Sequence, residues 1–423
     1  MSVTNPAAFA PETHDVVVVG GGSAGLAAAA SLLRRRPGLD IAIVEPKATH
    51  DYQPGWTLVG AGVFDRTQTQ RPMSTVIPRG TTWIQAAVAG FEPERNAVVL
   101  EDGRRLTYRI LVAAPGLTLD WDAVEGLGDT LGRNGVTSNY LADLAPYTWE
   151  LVRSLKQGRA LFTQPPMPIK CAGAPQKAMY LSCDHWRRSG HGDAVRAEFH
   201  TATPALFGVA HYVPALMTYI RRYGVALNLQ SRLIAVDGPA QRATFRVTGE
   251  DGSVQEVVRN FDLLHVCPPQ KALGVVATSP LADAAGWIDV DPASLRHARY
   301  PNVLALGDAC STPNAKTAAA ARKQAPVVAE NALAILDGRD PSATYDGYGS
   351  CPLTVERGRI VLAEFGYGGK LLPTFPRPLL NGDVPTARAW FLKQSVLPFV
   401  YWNGMLKGRE WLARPATRAN APG

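Results

Sequence analysis

Asp15-Val16-Val17-Val18-Val19-Gly20-Gly21-Gly22-Ser23-Ala24-Gly25-Leu26 decides the reading of this chain. Four valines in a row are too few for a globular helix and are β-branched, so they predict a buried parallel strand. Glycines 20, 22 and 25 then satisfy G-x-G-x-x-G, and residues 24–33 are strong helix formers. Gly20 permits the tight turn, Gly22 lets a pyrophosphate approach the backbone, and Gly25 lets helix and strand pack closely. Unpaired N–H groups at the helix start, around Ser23 and Ala24, face that pyrophosphate. The next strand, at residues 41–44, ends in Glu45, the spacing expected of an acid that accepts the ribose hydroxyls. A ligand-free glycine turn is the alternative. The order strand, loop, helix, strand, acid favours a dinucleotide.

The chain has 423 residues, enough for two to three domains. Hydrophobics make up 46% and charged residues 19%, so it is globular rather than disordered. The net charge of +7 suits an anionic partner. No aromatic-interleaved arginine motif points to nucleic acid, and a membrane surface is favoured. No export signal and no bilayer-spanning apolar run is read from the sequence. Five cysteines (171, 183, 267, 310, 351) show neither C-x-x-C nor metal-ligand spacing. No disulfide framework and no metal is expected.

Residues 1–14 read as a mobile arm. Residues 50–62 read as a loop and small-residue segment, suited either to a flat ring or to a packing turn. A hairpin is expected over 97–100 and 106–110, then a strand over 110–114 closing on Pro115-Gly116. A later strand at 302–306 leads into Gly307-Asp308, then Lys316-Thr317 and a helix over 318–336. Asp308 is either a ligand of the cofactor or a helix cap, and Thr317 is a plausible cap. A positive helix end and Lys316 together would stabilise an anionic ring system, although a lone lysine is more often simply solvated.

The middle of the chain opens on a strand at 159–163, where a nicotinamide-binding domain would place a second glycine motif. Gln164-Pro165-Pro166-Met167-Pro168-Ile169-Lys170-Cys171-Ala172-Gly173-Ala174-Pro175 stands there instead. Prolines remove N–H donors, so NAD(P)H is not the expected electron source. Lys170 and the following helix start are expected to lower the Cys171 pKa. Cys183, Cys267 and Cys310 read as buried, inert thiols. His185, His200 and His211 are weak candidates for a general base.

Lys170-Cys171-Ala-Gly-Ala-Pro, taken with Tyr345-Asp-Gly-Tyr-Gly-Ser-Cys351-Pro-Leu, resembles sulfide:quinone oxidoreductases, in particular the subgroup containing the mitochondrial enzymes. Residues 50–62, 282–287, 316–320 and 397–403 extend the resemblance over nearly the whole chain. It implies an α/β fold of two Rossmann-like dinucleotide-binding domains, glutathione-reductase-like, with a C-terminal amphipathic membrane-docking segment. The expected division is 1–120 with 290–345 for FAD, 121–289 for a second domain carrying Cys171, and 346–423 for a region carrying Cys351.

The resemblance further implies a redox pair, Cys171 and Cys351, bridged at rest directly or through an extra sulfur. Cys171 would be the thiolate that meets the flavin, and Cys351 the carrier of sulfane sulfur. FAD contacts are expected from Gly20, Gly22, Ser23, Ala24, Gly25, Glu45, Pro46, Gln53, Ala114, Pro115, Gly116, Gly307, Asp308, Lys316 and Thr317. Asp308 would bond the ribityl chain. Expected partners are hydrogen sulfide, a ubiquinone-type quinone and a small sulfur acceptor (sulfite, glutathione, coenzyme A or cyanide). A homo-oligomer is compatible with the sequence.

Residues 386–412 alternate large apolar residues with Lys and Arg, and suit helices lying in a membrane interface. Pro398 is expected to break them. Packing on the protein's own core is the alternative. Quinone contacts are sought among Lys316, Phe391, Phe399 and Trp402. The expected location is the periphery of a bacterial inner membrane, on its cytoplasmic face. The competing functions are an NADH:quinone oxidoreductase, a sulfide:cytochrome c oxidoreductase, and a non-catalytic flavin-bearing adaptor.

Overall fold

The structure, a computed structural model, describes residues 12–417. The first eleven residues of the expected arm lie outside that range. Its last three, 12–14, already belong to β1 (Glu12–Val19), which α1 (Ser23–Arg35) joins to β2 (Ile41–Val44). The valines of β1 are buried on both faces, as a central parallel strand requires. β3 (Thr82–Ile84), β4 (Val88–Glu92), β5 (Ala97–Leu100) and β6 (Arg105–Ala113) follow.

The sheet order is β3-β2-β1-β6-β5-β4. β6 is one continuous strand, not a hairpin arm followed by a separate strand. Its length is fixed by β1, which pairs with it from Glu12 opposite Leu106 to Val19 opposite Ala113. Its other edge is shared, with β5 pairing antiparallel along the first part and a late-returning strand pairing along the second.

A second sheet contains β7 (Val136–Thr137), β8 (Gly158–Gln164), β9 (Val195–Thr201), β10 (Ala226–Asn228) and β11 (Leu263–His265). Its order is β7-β11-β8-β9-β10 and every pairing is parallel. α2 (Ala174–Arg188) starts only after residues 165–173 have run out from β8, with Pro175 in its first turn, where its missing N–H costs nothing. β12 (Val303–Ala305) then returns to the edge of β6, and α3 (Ala318–Leu336) packs against α1. Alanines facing one another, Ala27 and Ala28 of α1 with Ala325 and Ala329 of α3, belong to that core.

The C-terminal region is shared between the two halves. The hairpin β13 (Gly349–Glu356) and β14 (Arg359–Phe365) buries Cys351, Leu353, Val355 and Val361 in the same core as Phe162, Met179, Tyr180 and Phe199 of the second sheet and its helix α2. α4 (Ala387–Phe391) and α5 (Leu397–Asn403) follow, joined by a π-helical turn at Leu392–Val396. The segment is therefore not broken at Pro398. That proline lies in the first turn of α5, and the wide π turn before it absorbs the lost hydrogen bond.

Candidate active site

The turn from β1 into α1 is crowded where the motif predicts crowding and open where it predicts room. Gly20 has φ +101°, and a Cβ there would lie 2.4 Å from the Ala114 carbonyl oxygen, against Pro115 at the tip of β6. A Cβ on Gly25 would lie 1.9 Å from the Gly20 oxygen. A Cβ on Gly22 would meet nothing within 4 Å. Glu45 reaches the same turn, its Oε2 accepting from the Gly21 N–H at 2.8 Å. Gly307, at φ +78°, lies against Ala24, so the end of β12 stands beside the start of α1. Gly116 also takes positive φ, at +82°, where β6 leaves the turn. Pro46 is exposed beyond Glu45.

Asp308 is half-buried, and burial raises its carboxyl pKa against the pull of Lys170 and Lys316. It caps no helix. Thr317 caps α3, its Oγ1 accepting from the Ala320 N–H at 3.1 Å. The Lys316 ammonium donates to the carbonyls of Asp308 and Cys310 at 2.8 and 2.7 Å and sits 4.2 Å from the Trp287 ring centroid. It is a buried group held by two carbonyls rather than a solvated one.

Cys171 and Cys351 come together. Cys351 is buried on β13, and a Cβ built on Gly173 would lie 3.6 Å from its Cβ. The two thiols are unbridged and lie within hydrogen-bonding reach of each other. Cys171 holds φ +50°, an uncommon value for a residue with a side chain, and its N–H donates to the Lys316 carbonyl at 2.8 Å. Hydrogen bonding with Cys351 holds the Cys171 thiol well below its ordinary range, and the Lys177 ammonium pulls in the same direction. Cys351 is pushed the other way by Cys171 and by burial.

Lys170 acts on the Cys171 thiol through charge alone, without a hydrogen bond to it. Its ammonium turns from the thiol to Gln53 Oε1 at 2.8 Å and lies over the rings of Trp56 and Tyr140. Lys177, one turn into α2, takes that place, donating to Cys171 Sγ at 3.1 Å. A second buried lysine, Lys393, enters from the π turn and donates to the Pro54 carbonyl at 2.7 Å. Burial and Lys177 push its pKa down to about 7, against the opposite pull of the two cysteines.

Residues 14–163 match the family described as pyridine nucleotide-disulphide oxidoreductase. The chain is 40% identical over 376 residues to the mitochondrial sulfide:quinone oxidoreductase of Mus musculus, covering 89% of this chain and 82% of that protein. The Dictyostelium discoideum mitochondrial enzyme of the same name is 41% identical over 377 residues, covering 89% and 81%. The chain belongs to the sulfide:quinone oxidoreductase family. The solved structure of the Aquifex aeolicus sulfide:quinone oxidoreductase shares the fold, with a TM-score of 0.76 at 18% identity over 93% of this chain and 92% of that one.

As a member of this family the chain is an FAD-dependent oxidoreductase. Its residues fit that cofactor. Gly22 leaves the opening that a pyrophosphate needs, Glu45 stands at the edge of the same turn, and the Asp308 carboxylate has no protein hydrogen-bond partner among the described residues. Ser23 is already engaged. The Gly21 carbonyl can only accept, so His50 Nδ1 donates to it at 3.0 Å, and His50 Nε2 accepts from the Tyr401 hydroxyl at 2.6 Å. Ser23 Oγ then donates to Tyr401 at 2.8 Å. Burial pushes His50 down to about 4, consistent with this neutral arrangement.

The four residues sought as quinone contacts differ in their surroundings. Phe391 and Phe399 are 62% and 57% exposed. Trp402 is buried, its ring taken up by the Arg71 guanidinium at 4.1 Å and by the edges of His50 and Tyr401. Lys316 is turned to backbone carbonyls, as described above. The three histidines have structural partners. His185 meets Trp149 edge-on, His200 stacks on Phe245 and bonds Ser231, and His211 bonds Asp383. Cys183, Cys267 and Cys310 are buried, and burial raises each thiol pKa, Cys310 to about 12.

Proposed function

We propose that this chain oxidises sulfide at the Cys171–Cys351 pair and delivers the electrons to a membrane quinone. The observation that carries this reading is the meeting of two cysteines from distant parts of the chain, with a buried ammonium 3.1 Å from one sulfur. In this reading residues 1–120 and 290–345 hold FAD, 121–289 supply Cys171, and 346–423 supply Cys351 and the membrane face.

Thiol exchange assigns the roles. Hydrosulfide attacks the Cys351 sulfur of a Cys171–Cys351 bridge. A new S–S bond forms there, the old one breaks, and its electron pair leaves with Cys171 as thiolate. The better-stabilised thiolate leaves faster, and Cys171, with the Lys177 ammonium 3.1 Å from its sulfur, is that thiolate. The Lys177 ammonium stabilises the departing charge. The product at Cys351 is a persulfide that keeps the hydrosulfide proton. A small nucleophile then takes the outer sulfur and leaves Cys351 as thiolate. Rejoining the two thiolates as a disulfide releases two electrons, for which FAD supplies the two-electron acceptor and the relay to quinone. Sulfite, glutathione, coenzyme A and cyanide all have the nucleophilicity for the acceptor role.

The exposed aromatic residues of the tail support docking at a membrane surface, where a quinone resides. Among the described residues no helix is long and apolar enough to cross a membrane. The cytoplasmic face of a bacterial inner membrane is the proposed location.

Anaerobic titration of the holoenzyme with sulfide tests this function. Flavin absorbance bleaches in the wild type and reappears when a soluble quinone is added. Cys171→Ser and Cys351→Ser each keep FAD and lose the bleaching. Sulfide-dependent bleaching that survives in Cys351→Ser removes that residue from the reaction. Rapid bleaching by NADH instead would move the assignment to an NADH:quinone oxidoreductase.

A further inference from the structure

α1 ends in three consecutive arginines, at 34, 35 and 36. Arg35 pairs with Glu330 and Glu410, and Arg36 with Asp337. Arg34 is exposed and has no carboxylate partner among the described residues. Arg79, just after Pro78, and Lys407, in the turn that follows α5, are likewise exposed and unpaired among the described residues. These three cations, from distant parts of the chain, line one cleft of about 450 Å³. Its remaining wall includes Leu33, Pro78 and Leu406, and no acidic residue lines it among the described residues.

Three like charges gathered without a counterion repel one another, and an anion seated between them relieves that repulsion. The gathering is built into the fold. Gly408, beside Lys407, has φ +65°, and a Cβ on it would lie 2.4 Å from the Ala30 carbonyl oxygen, so the turn is clamped onto α1. Leu406 is fully buried in the core that α1 shares with α3. The same turn runs on into Trp411 and Leu412, both exposed, and Trp411 stacks parallel to Phe399 with ring centroids 6.4 Å apart.

We infer that this cleft binds the head group of an anionic phospholipid, the three cations taking the phosphate and half-buried Leu33 lying beside the glycerol. A bare phosphate would use the cations alone, whereas Trp411 and Leu412, exposed where the same turn runs on, offer an apolar neighbour to the acyl side of a lipid. The inference builds on the membrane docking proposed above and gives it a lipid class. Docking by aromatic residues alone is indifferent to lipid charge, whereas docking through this cleft is not.

The test is co-sedimentation of the holoenzyme with vesicles of phosphatidylcholine alone and of phosphatidylcholine doped with phosphatidylglycerol. The cleft variant is Arg34→Gln/Arg79→Gln/Lys407→Gln. The control, Arg196→Gln/Arg221→Gln/Arg232→Gln, removes the same charge from exposed arginines elsewhere that have no carboxylate partner among the described residues. The cleft variant is expected to bind doped vesicles about a hundredfold more weakly and to bind neutral vesicles like the wild type. The control keeps its preference for doped vesicles.

If the cleft variant keeps that preference, or the control loses as much, the inference is overturned while docking itself stands. A wild type that ignores both vesicle types overturns docking as well. If soluble glycerophosphoglycerol stabilises the wild type against heat and doped vesicles gain no affinity over neutral ones, the ligand is a free phosphate ester and the lipid assignment falls.

Discussion

Lys177 is the residue whose charge the sulfur chemistry needs most directly. An opposite charge at hydrogen-bond distance favours the ionised form of its partner, and here the partner is the leaving-group sulfur. Lys177→Met is therefore expected to raise the Cys171 thiol pKa. The pH dependence of alkylation on pre-reduced holoenzyme measures it, and Lys177→Arg should restore the wild-type profile. An unchanged midpoint in the methionine variant would mean that Cys351 alone holds the thiolate. Lys393 makes a different prediction. Its folded pKa is depressed from 10.5 to about 7, so between those values the unfolded chain binds a proton that the native chain does not. Stability contributed by this group consequently rises with pH across that window. Lys393→Met lacks the term, so its melting temperature relative to wild type should be highest below pH 7 and should decline toward pH 10. A difference that stays flat with pH would show that Lys393 is charged throughout.

The turn between β1 and α1 makes two neighbouring glycines behave differently. A methyl on Gly25 collides with the Gly20 carbonyl, which cannot move without unpacking the helix from the strand. Gly25→Ala should cost about 1–3 kcal/mol of stability and lower FAD content with it. A methyl on Gly22 meets no protein atom. Gly22→Ala should therefore melt like the wild type without cofactor and bind FAD more weakly, as FAD titration followed by flavin fluorescence would reveal. Equal losses in both variants would mean that Gly22 has only a folding role. This contrast was legible in the sequence because the motif is local, each glycine being fixed by residues a few positions away. The continuity of β6 was not, since its length is set by partners at both edges. Lys177 was hidden behind Lys170, the nearer lysine in sequence. The available signal was its place in the first turn of α2, where a cation opposes the helix dipole unless an anion faces it. Lys393 gave no such signal, because it lies in the π turn, where the regular helical spacing by which its inward direction could be read is interrupted.

Over the whole molecule, the C-terminal region ties the two halves together. Its hairpin completes the core around α2 and carries Cys351 to Cys171. Its helices close on the glycine turn through Tyr401, His50 and Ser23, and send Lys393 inward to Pro54. The outer side of the same helices presents Phe391 and Phe399, with Trp411 and Leu412 beyond them. Inward contacts serve the redox site and outward ones serve docking, so the two can be separated by mutation. Phe391→Ser/Phe399→Ser removes two exposed rings that support no buried structure. Fully burying one such ring contributes about 1.5–3 kcal/mol, so the double variant should bind vesicles ~100-fold more weakly or worse. It should keep FAD, its melting temperature and sulfide-dependent reduction of a short-chain soluble quinone. Turnover with a long-chain quinone embedded in vesicles should fall with the binding. Trp402→Ser, which empties a buried site, should instead destabilise the protein by about 3–5 kcal/mol and lower both activities together. Vesicle turnover at the wild-type level in the double phenylalanine variant would place the docking face elsewhere on the molecule.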